Sequence, residues 1–147
     1  MPDKLRVLFL CVHNSARSQM AEGLLRALGG DRFDVFSAGS EPTSVNPFAI
    51  RVLRDAGIDI ARQSSKHVHA FANTRFDYVI TLCAEEECPL FLGDGKLLHW
   101  DLPDPAAVQG SSDEKANAFR QVAAELRTRI SKLITECNVE DDQSSRR

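Results

Sequence analysis

Leu5-Arg6-Val7-Leu8-Phe9-Leu10-Cys11-Val12-His13-Asn14-Ser15-Ala16-Arg17-Ser18 runs from an apolar segment through a polar loop into a helical pattern. Residues 5–10 are short and apolar, as a buried strand is. From Ser18 onward, Met20, Leu24, Leu25 and Leu28 recur at helical spacing, and Gly29-Gly30 stop the pattern. A strand, a tight loop and a helix open a parallel α/β unit. Such sheets gather ligands at the carboxyl ends of their strands. Residues 12–17 carry a run of backbone N–H groups into a helix start, which attracts anions. Arg17 adds a planar fork suited to a tetrahedral oxyanion. Cys11 lies at the floor of this loop, where positive surroundings favour the nucleophilic thiolate. Asn14 suits a left-handed turn, and Ser18 is placed to cap the helix and to donate its hydroxyl to the thiolate. Val12, His13, Asn14, Ser15, Ala16, Arg17 and Ser18 are therefore the candidate substrate-binding residues. The plainer reading is a buried structural cysteine with Arg17 at the surface. Cys-x5-Arg alone occurs often by chance, but the strand before it and the helix after it favour the anion site.

Working outward, residues 33–37 alternate as a second strand. Asn46-Pro47 opens a helix that Gly57 closes. Residues 76–82 and 96–100 read as the third and fourth strands. Residues 113–137 form a last helix with Phe119, Val122, Leu126, Ile130 and Leu133 on one stripe. The expected architecture is α/β: one domain over residues 1–137, with a four-stranded parallel sheet flanked by helices on both faces. Residues 138–147 read as a polar, disordered tail. A net charge of −3 recruits no nucleic acid, so anion recognition must be local. No apolar run reaches membrane-span length and no signal peptide precedes the first strand, which points to the cytoplasm. Four cysteines (11, 83, 88 and 137) do not make a secreted disulfide framework at this length.

The loop with its continuation, Cys11-Val-His-Asn-Ser-Ala-Arg17-Ser18-Gln-Met-Ala-Glu-Gly23, resembles the low-molecular-weight protein tyrosine phosphatase fold family. Ser-Gln-Met-Ala-Glu-Gly is similar to the thioredoxin-coupled arsenate reductases of that fold. So are Ser37-Ala-Gly39, Val45-Asn-Pro47, Thr81-Leu-Cys83 leading to Cys88-Pro89, and His99-Trp100 followed by Asp104-Pro105-Ala106. The likeness runs from about residue 5 to 135.

The resemblance implies a relay. Cys11 attacks arsenate, Cys83 attacks Cys11 and releases arsenite, and Cys88 takes over the disulfide for presentation to a thiol reductant. Thioredoxin is the expected reductant, with a glutaredoxin-type protein as the alternative. A phosphatase needs only Cys11, Arg17 and an acid, whereas two-electron chemistry needs the further thiols. Four residues separate Cys83 from Cys88, where better-known thioredoxin-coupled members have six. Cys83 as a core thiol with Cys88 as a coincidence, or the two as zinc ligands, are the competing readings; no second cysteine pair supports zinc. Cys137 has no motif around it. The resemblance gives Asp104 the role of general acid, with Asp101 as its rival and Trp100 as a screen against water.

Two departures from the family stand out. Ala16 replaces a cysteine found before the loop arginine in many relatives, so the loop holds no second thiol. Potassium-binding members use side chains at positions corresponding to Asn14, Glu22, Ser37, Ser64 and Lys66. A lysine here replaces the acidic ligand, and its ammonium is expected to stand in for the cation. No metal or cofactor is expected. His67 and His69 read as a surface pair, and His13 as a residue shaping the mouth of the loop. The expected activity is arsenate reduction by a monomer. A low-molecular-weight tyrosine phosphatase and a non-enzymatic oxyanion or redox sensor are the alternatives.

Overall fold

A computed structural model describes residues 4–83, 93 and 95–145. Four strands, β1 (Leu5–Cys11), β2 (Phe33–Gly39), β3 (Tyr78–Thr81) and β4 (Lys96–His99), form one sheet in the order β2-β1-β3-β4. Every pairing is parallel, with Leu10 opposite Ala38 on one side and Thr81 on the other. The chain leaves β1 toward β2 and later returns to pair β3 on the opposite edge. The carboxyl end of β1 is therefore the point where the winding reverses, and parallel sheets open a crevice there. Cys11 is the last residue of β1.

The pleat sorts β1 between two cores. Val7 and Phe9 face the larger one, shared with Met20 and Leu24 of α1 (Arg17–Gly29), Val52 and Leu53 of α2 (Pro47–Asp55), and Phe119, Leu126 and Ile130 of α3 (Ser112–Ser145). Leu8 and Leu10 face a smaller cluster with Val68, Phe76 and Val79. There the cover among the described residues is the 3-10 helix Val68–Phe71 and the edge-to-face rings of Phe36, Phe71 and Phe76.

The helix ends follow their residues. Gly30, at φ +61°, donates its N–H to the Arg26 carbonyl and closes α1. Asn46 accepts from Phe48 N at 2.8 Å ahead of Pro47, and Gly57 at φ +84° follows α2. The helix α3 runs through Ser145, eight residues past the expected boundary at Cys137, so residues 138–145 are helical rather than a frayed tail. That stretch is polar but holds no glycine or proline, so composition removes the apolar stripe without supplying a stop. Trp100 corrects a second expectation. It is buried in the larger core against Phe9, 6.0 Å between ring centroids, and is not a screen over the anion loop. No helix among the described residues is long and apolar enough to cross a membrane.

Candidate active site

The loop 12–16 is held from outside by its carbonyls. Those of Val12, His13 and Ser15 accept N–H groups from Glu41, Thr43 and Asn46 at 2.8, 3.2 and 3.0 Å. The Asn14 carbonyl accepts from Gln19 Nε2 at 3.0 Å. A trans peptide directs C=O and the next N–H oppositely, so tethering these carbonyls outward turns the N–H groups of residues 13–16 toward the interior. Asn14 sits at φ +45°, the one described non-glycine residue with positive φ, as its type suggested. Gly39 allows the loop to lie against the end of β2: a Cβ there would stand 2.4 Å from the Val12 carbonyl oxygen. Backbone cannot yield to that contact, so no side chain fits.

The side chains inside are ordered around sulfur. Cys11 is buried and its Sγ lies 2.8 Å from Ser18 Oγ. Asn14 Nδ2 donates to the same Oγ at 2.7 Å, which leaves the Ser18 hydroxyl proton free to point at sulfur and to stabilise a thiolate. Ser18 therefore does half of what its type allowed. The N-cap is Ala16, without a side-chain cap bond, because Ser18 already lies inside the first turn. Arg17 is buried, with Nη1 donating to the carbonyls of Leu82 at 3.3 Å and Leu102 at 3.0 Å. These bonds join the loop to the residue before Cys83 and to the loop carrying Asp104.

Cys11, His13, Ser15, Ala16, Arg17, Thr43, Asp104 and Ala106 line a cavity of about 160 Å³. That is space for roughly five waters at about 30 Å³ each. Asp104 Oδ2 lies 4.0 Å from Arg17 Nη2, while its Oδ1 accepts from Ala106 N at 3.0 Å and fixes the carboxyl in place. Asp101 points elsewhere, with Oδ1 2.6 Å from His99 Nε2. Of the two candidate acids, only Asp104 lines the cavity.

Cys83 is buried at the end of the segment that follows β3, where Leu82 N donates to the Leu10 carbonyl at 2.9 Å. It is disulfide-bonded, whereas Cys11 and Cys137 are not in disulfides. Cys137 lies on α3 with its Sγ 3.7 Å from Tyr78 Oη. Cys88 lies outside the described residues.

Behind the loop, Glu22 is buried, accepting from Ser37 Oγ at 2.6 Å and pairing with Arg26 Nη1 at 3.0 Å. Lys66 Nζ stands 3.7 Å from Glu22 Oε1 and also donates to the Ser64 carbonyl. The Lys66 backbone N–H donates to Asn14 Oδ1 at 2.8 Å. Asn14, Glu22, Ser37, Ser64 and Lys66 thus form one connected support. Burial pushes the Lys66 ammonium below the usual lysine value, Glu22 pulls it back up, and Arg26 adds to the fall. Desolvation outweighs the attraction, so the pair fixes position more than it adds stability.

Several residues of this support were not foreseen. Gln19 is fully buried and bridges the Asn14 and Ser64 carbonyls, while Gln63 Nε2 donates to Gln19 Oε1 at 2.8 Å. Ser65 Oγ donates to the His13 carbonyl and accepts from Thr43 N, both at 3.0 Å. Arg26 holds Glu22 and the Val35 carbonyl. The available signal was Gln19 itself, a polar residue between the loop and Met20 in a turn that proves buried on every side.

The match to known proteins is extensive. Residues 6–144 fit the family model described as low molecular weight phosphotyrosine protein phosphatase. The chain belongs to that family. Within it, the chain is 41% identical over 126 residues to an arsenate reductase of Oceanobacillus iheyensis, covering 84% of this chain and 91% of the relative. A solved arsenate reductase in a phosphate-binding state superposes with TM-score 0.75 at 34% identity, over 90% of this chain and 98% of that one. A thioredoxin-dependent arsenate reductase from Corynebacterium glutamicum superposes with TM-score 0.73 at 29% identity, over 93% of this chain and 63% of that one. The family and fold expected from the anion loop are those found.

Proposed function

We propose that this protein reduces arsenate to arsenite through a relay of Cys11, Cys83 and Cys88. The observation that carries the reading is the pairing of a free, buried Cys11 beneath an oxyanion-sized cavity with a disulfide-bonded Cys83 just past the neighbouring strand. A hydrolytic phosphatase has no use for an oxidised thiol there.

The Cys11 thiolate attacks As(V), forming an S–As bond, and Asp104 protonates the departing oxygen so that it leaves as water. Loop N–H groups and Arg17 hold the remaining oxygens. The Cys83 thiolate then attacks the Cys11 sulfur. The S–As bond breaks with its electron pair left on arsenic, which departs as arsenite while a Cys11–Cys83 disulfide forms. Cys88 attacks Cys83, restores the Cys11 thiolate and leaves a Cys83–Cys88 disulfide for a dithiol to reduce. Thioredoxin is the proposed dithiol, supported by the thioredoxin-dependent relative. Such a relay needs a reducing compartment, so the cytoplasm is the proposed location and a monomer with no nucleic-acid partner the proposed working form.

A cavity of about 160 Å³ suits an inorganic oxyanion better than an aryl phosphate, and no phenylalanine, tyrosine or tryptophan among the described residues lines it. Slow hydrolysis of small phosphate esters is still expected from the shared loop. The decisive assay follows NADPH loss with arsenate, thioredoxin and thioredoxin reductase. Turnover that needs Cys11, Cys83 and Cys88 supports the relay, and full turnover in Cys88→Ser rejects its third step.

We also assign to the Lys66 ammonium the place that a monovalent cation takes in potassium-binding relatives. Its contacts with Glu22 and the Ser64 carbonyl support this. Potassium and sodium at equal concentration should then give the same melting temperature and the same turnover. A clear gain specific to potassium in either measurement rejects the assignment.

A further inference from the structure

A cavity of about 550 Å³ opens behind the anion loop and shares no lining residue with the Cys11 cavity. Its size falls in the range of small-molecule sites, roughly 300–1,000 Å³. Gly23 brings α1 hard against the chain beyond α2, since a Cβ there would meet Ile60 Cγ2 at 2.4 Å. That close approach brings Arg26 of α1 together with Arg62 and Lys66 on the opposite wall.

The charges around this cavity are unevenly committed. Glu22 is buried and occupied by Ser37, Arg26 and Lys66. Asp59 spends Oδ1 on Ala61 N at 2.9 Å. The Arg26 side chain remains half exposed despite its pairing, and Lys66 is partly exposed. Arg62 is exposed and makes no hydrogen bond or ion pair to a described residue. Three cations and two internally engaged carboxylates leave a local positive balance in a chain whose net charge is −3. A free guanidinium beside a partly exposed ammonium is well matched to a phosphate-like dianion.

We propose that this cavity is a second oxyanion site, binding inorganic phosphate or a phosphorylated small molecule through Arg62 with Arg26 and Lys66. Among the described residues no thiol lines it and its Lys66 ammonium is held by Glu22 and the Ser64 carbonyl, so the role assigned to the site is regulatory rather than catalytic. Lys66 lines this cavity and its backbone N–H holds Asn14, so one residue links the second site to the anion loop.

Backbone amide NMR during titration with inorganic phosphate tests this without any turnover, so failure of the arsenate reading would leave the result intact. Amides of residues 58–64 should shift on a saturation curve with its own midpoint, distinct from that of residues 12–17. In Arg62→Ala the first set should lose at least tenfold in apparent affinity, while the second keeps its midpoint. Titration with glucose 6-phosphate separates the two sources: shifts confined to residues 58–64 identify a site open to phosphorylated organic ligands, and no shift there restricts it to the inorganic ion. Absence of phosphate shifts at residues 58–64 would overturn the proposal. So would shifts that track the catalytic loop with one midpoint, or shifts that persist unchanged in Arg62→Ala.

Discussion

Cys83→Ser should lower arsenate turnover by about three orders of magnitude or more while leaving hydrolysis of a small phosphate ester within a few-fold of wild type. The two outcomes part because the residue stands outside the anion cavity. Cys11, Ser18, Arg17 and Asp104 keep their places, so attack on a bound oxyanion and protonation of its leaving oxygen are untouched. What disappears is the thiolate that cleaves the S–As bond. A serine hydroxyl at the same buried position cannot take up the Cys11 sulfur in a disulfide, so the adduct has no route to arsenite. Coupled NADPH oxidation measures the first activity and para-nitrophenyl phosphate hydrolysis the second. Parallel collapse of both would assign Cys83 a structural role in the loop, and retention of both would remove it from the relay.

Arg17→Lys should cost about two to three orders of magnitude in kcat/KM for arsenate, although charge is conserved. Buried Arg17 does three jobs with one planar group: it donates to the Leu82 and Leu102 carbonyls and stands beside Asp104. A lysine ammonium reaches at most some of these positions and presents no fork to a tetrahedral oxyanion. Releasing the Leu82 carbonyl also loosens the approach to Cys83, so kcat should fall along with affinity. Steady-state kinetics checks this, with circular dichroism to establish that the variant folds. Kinetics within threefold of wild type would contradict a role for the guanidinium.

Much of this site is written locally in the chain. Cys11, Asn14, Arg17 and Ser18 fall within eight residues, and each has a type that answers one demand of a strand–loop–helix junction: a nucleophile, a left-handed turn, a fork and a hydroxyl. The parallel pairing of β1 with β2 and with β3 follows from the helices that lie between them in the chain. Side chains that matter only through distant contacts were less legible. Gln63, Ser65 and Thr43 lie 25 or more residues from the loop they brace, and none belongs to an apolar period that would mark it as interior. Ser18 shows the limit within a motif: its type allows capping or sulfur contact, and only the position of the first turn decides between them. Trp100 shows the same limit at the end of a strand, where the pleat direction determines whether a ring faces the core or the active-site mouth. The extent of α3 was underestimated because loss of an apolar stripe ends burial, whereas a helix ends only where its backbone is stopped.

The most direct test of the relay is to halt it after its second step. Reduced Cys88→Ser protein, given arsenate without any thiol reductant, should release about one arsenite per chain and lose two mass units. Peptide mapping should place the new disulfide between Cys11 and Cys83. Arsenite release without that disulfide, a disulfide joining Cys11 to Cys137, or continued turnover beyond one equivalent would contradict the account.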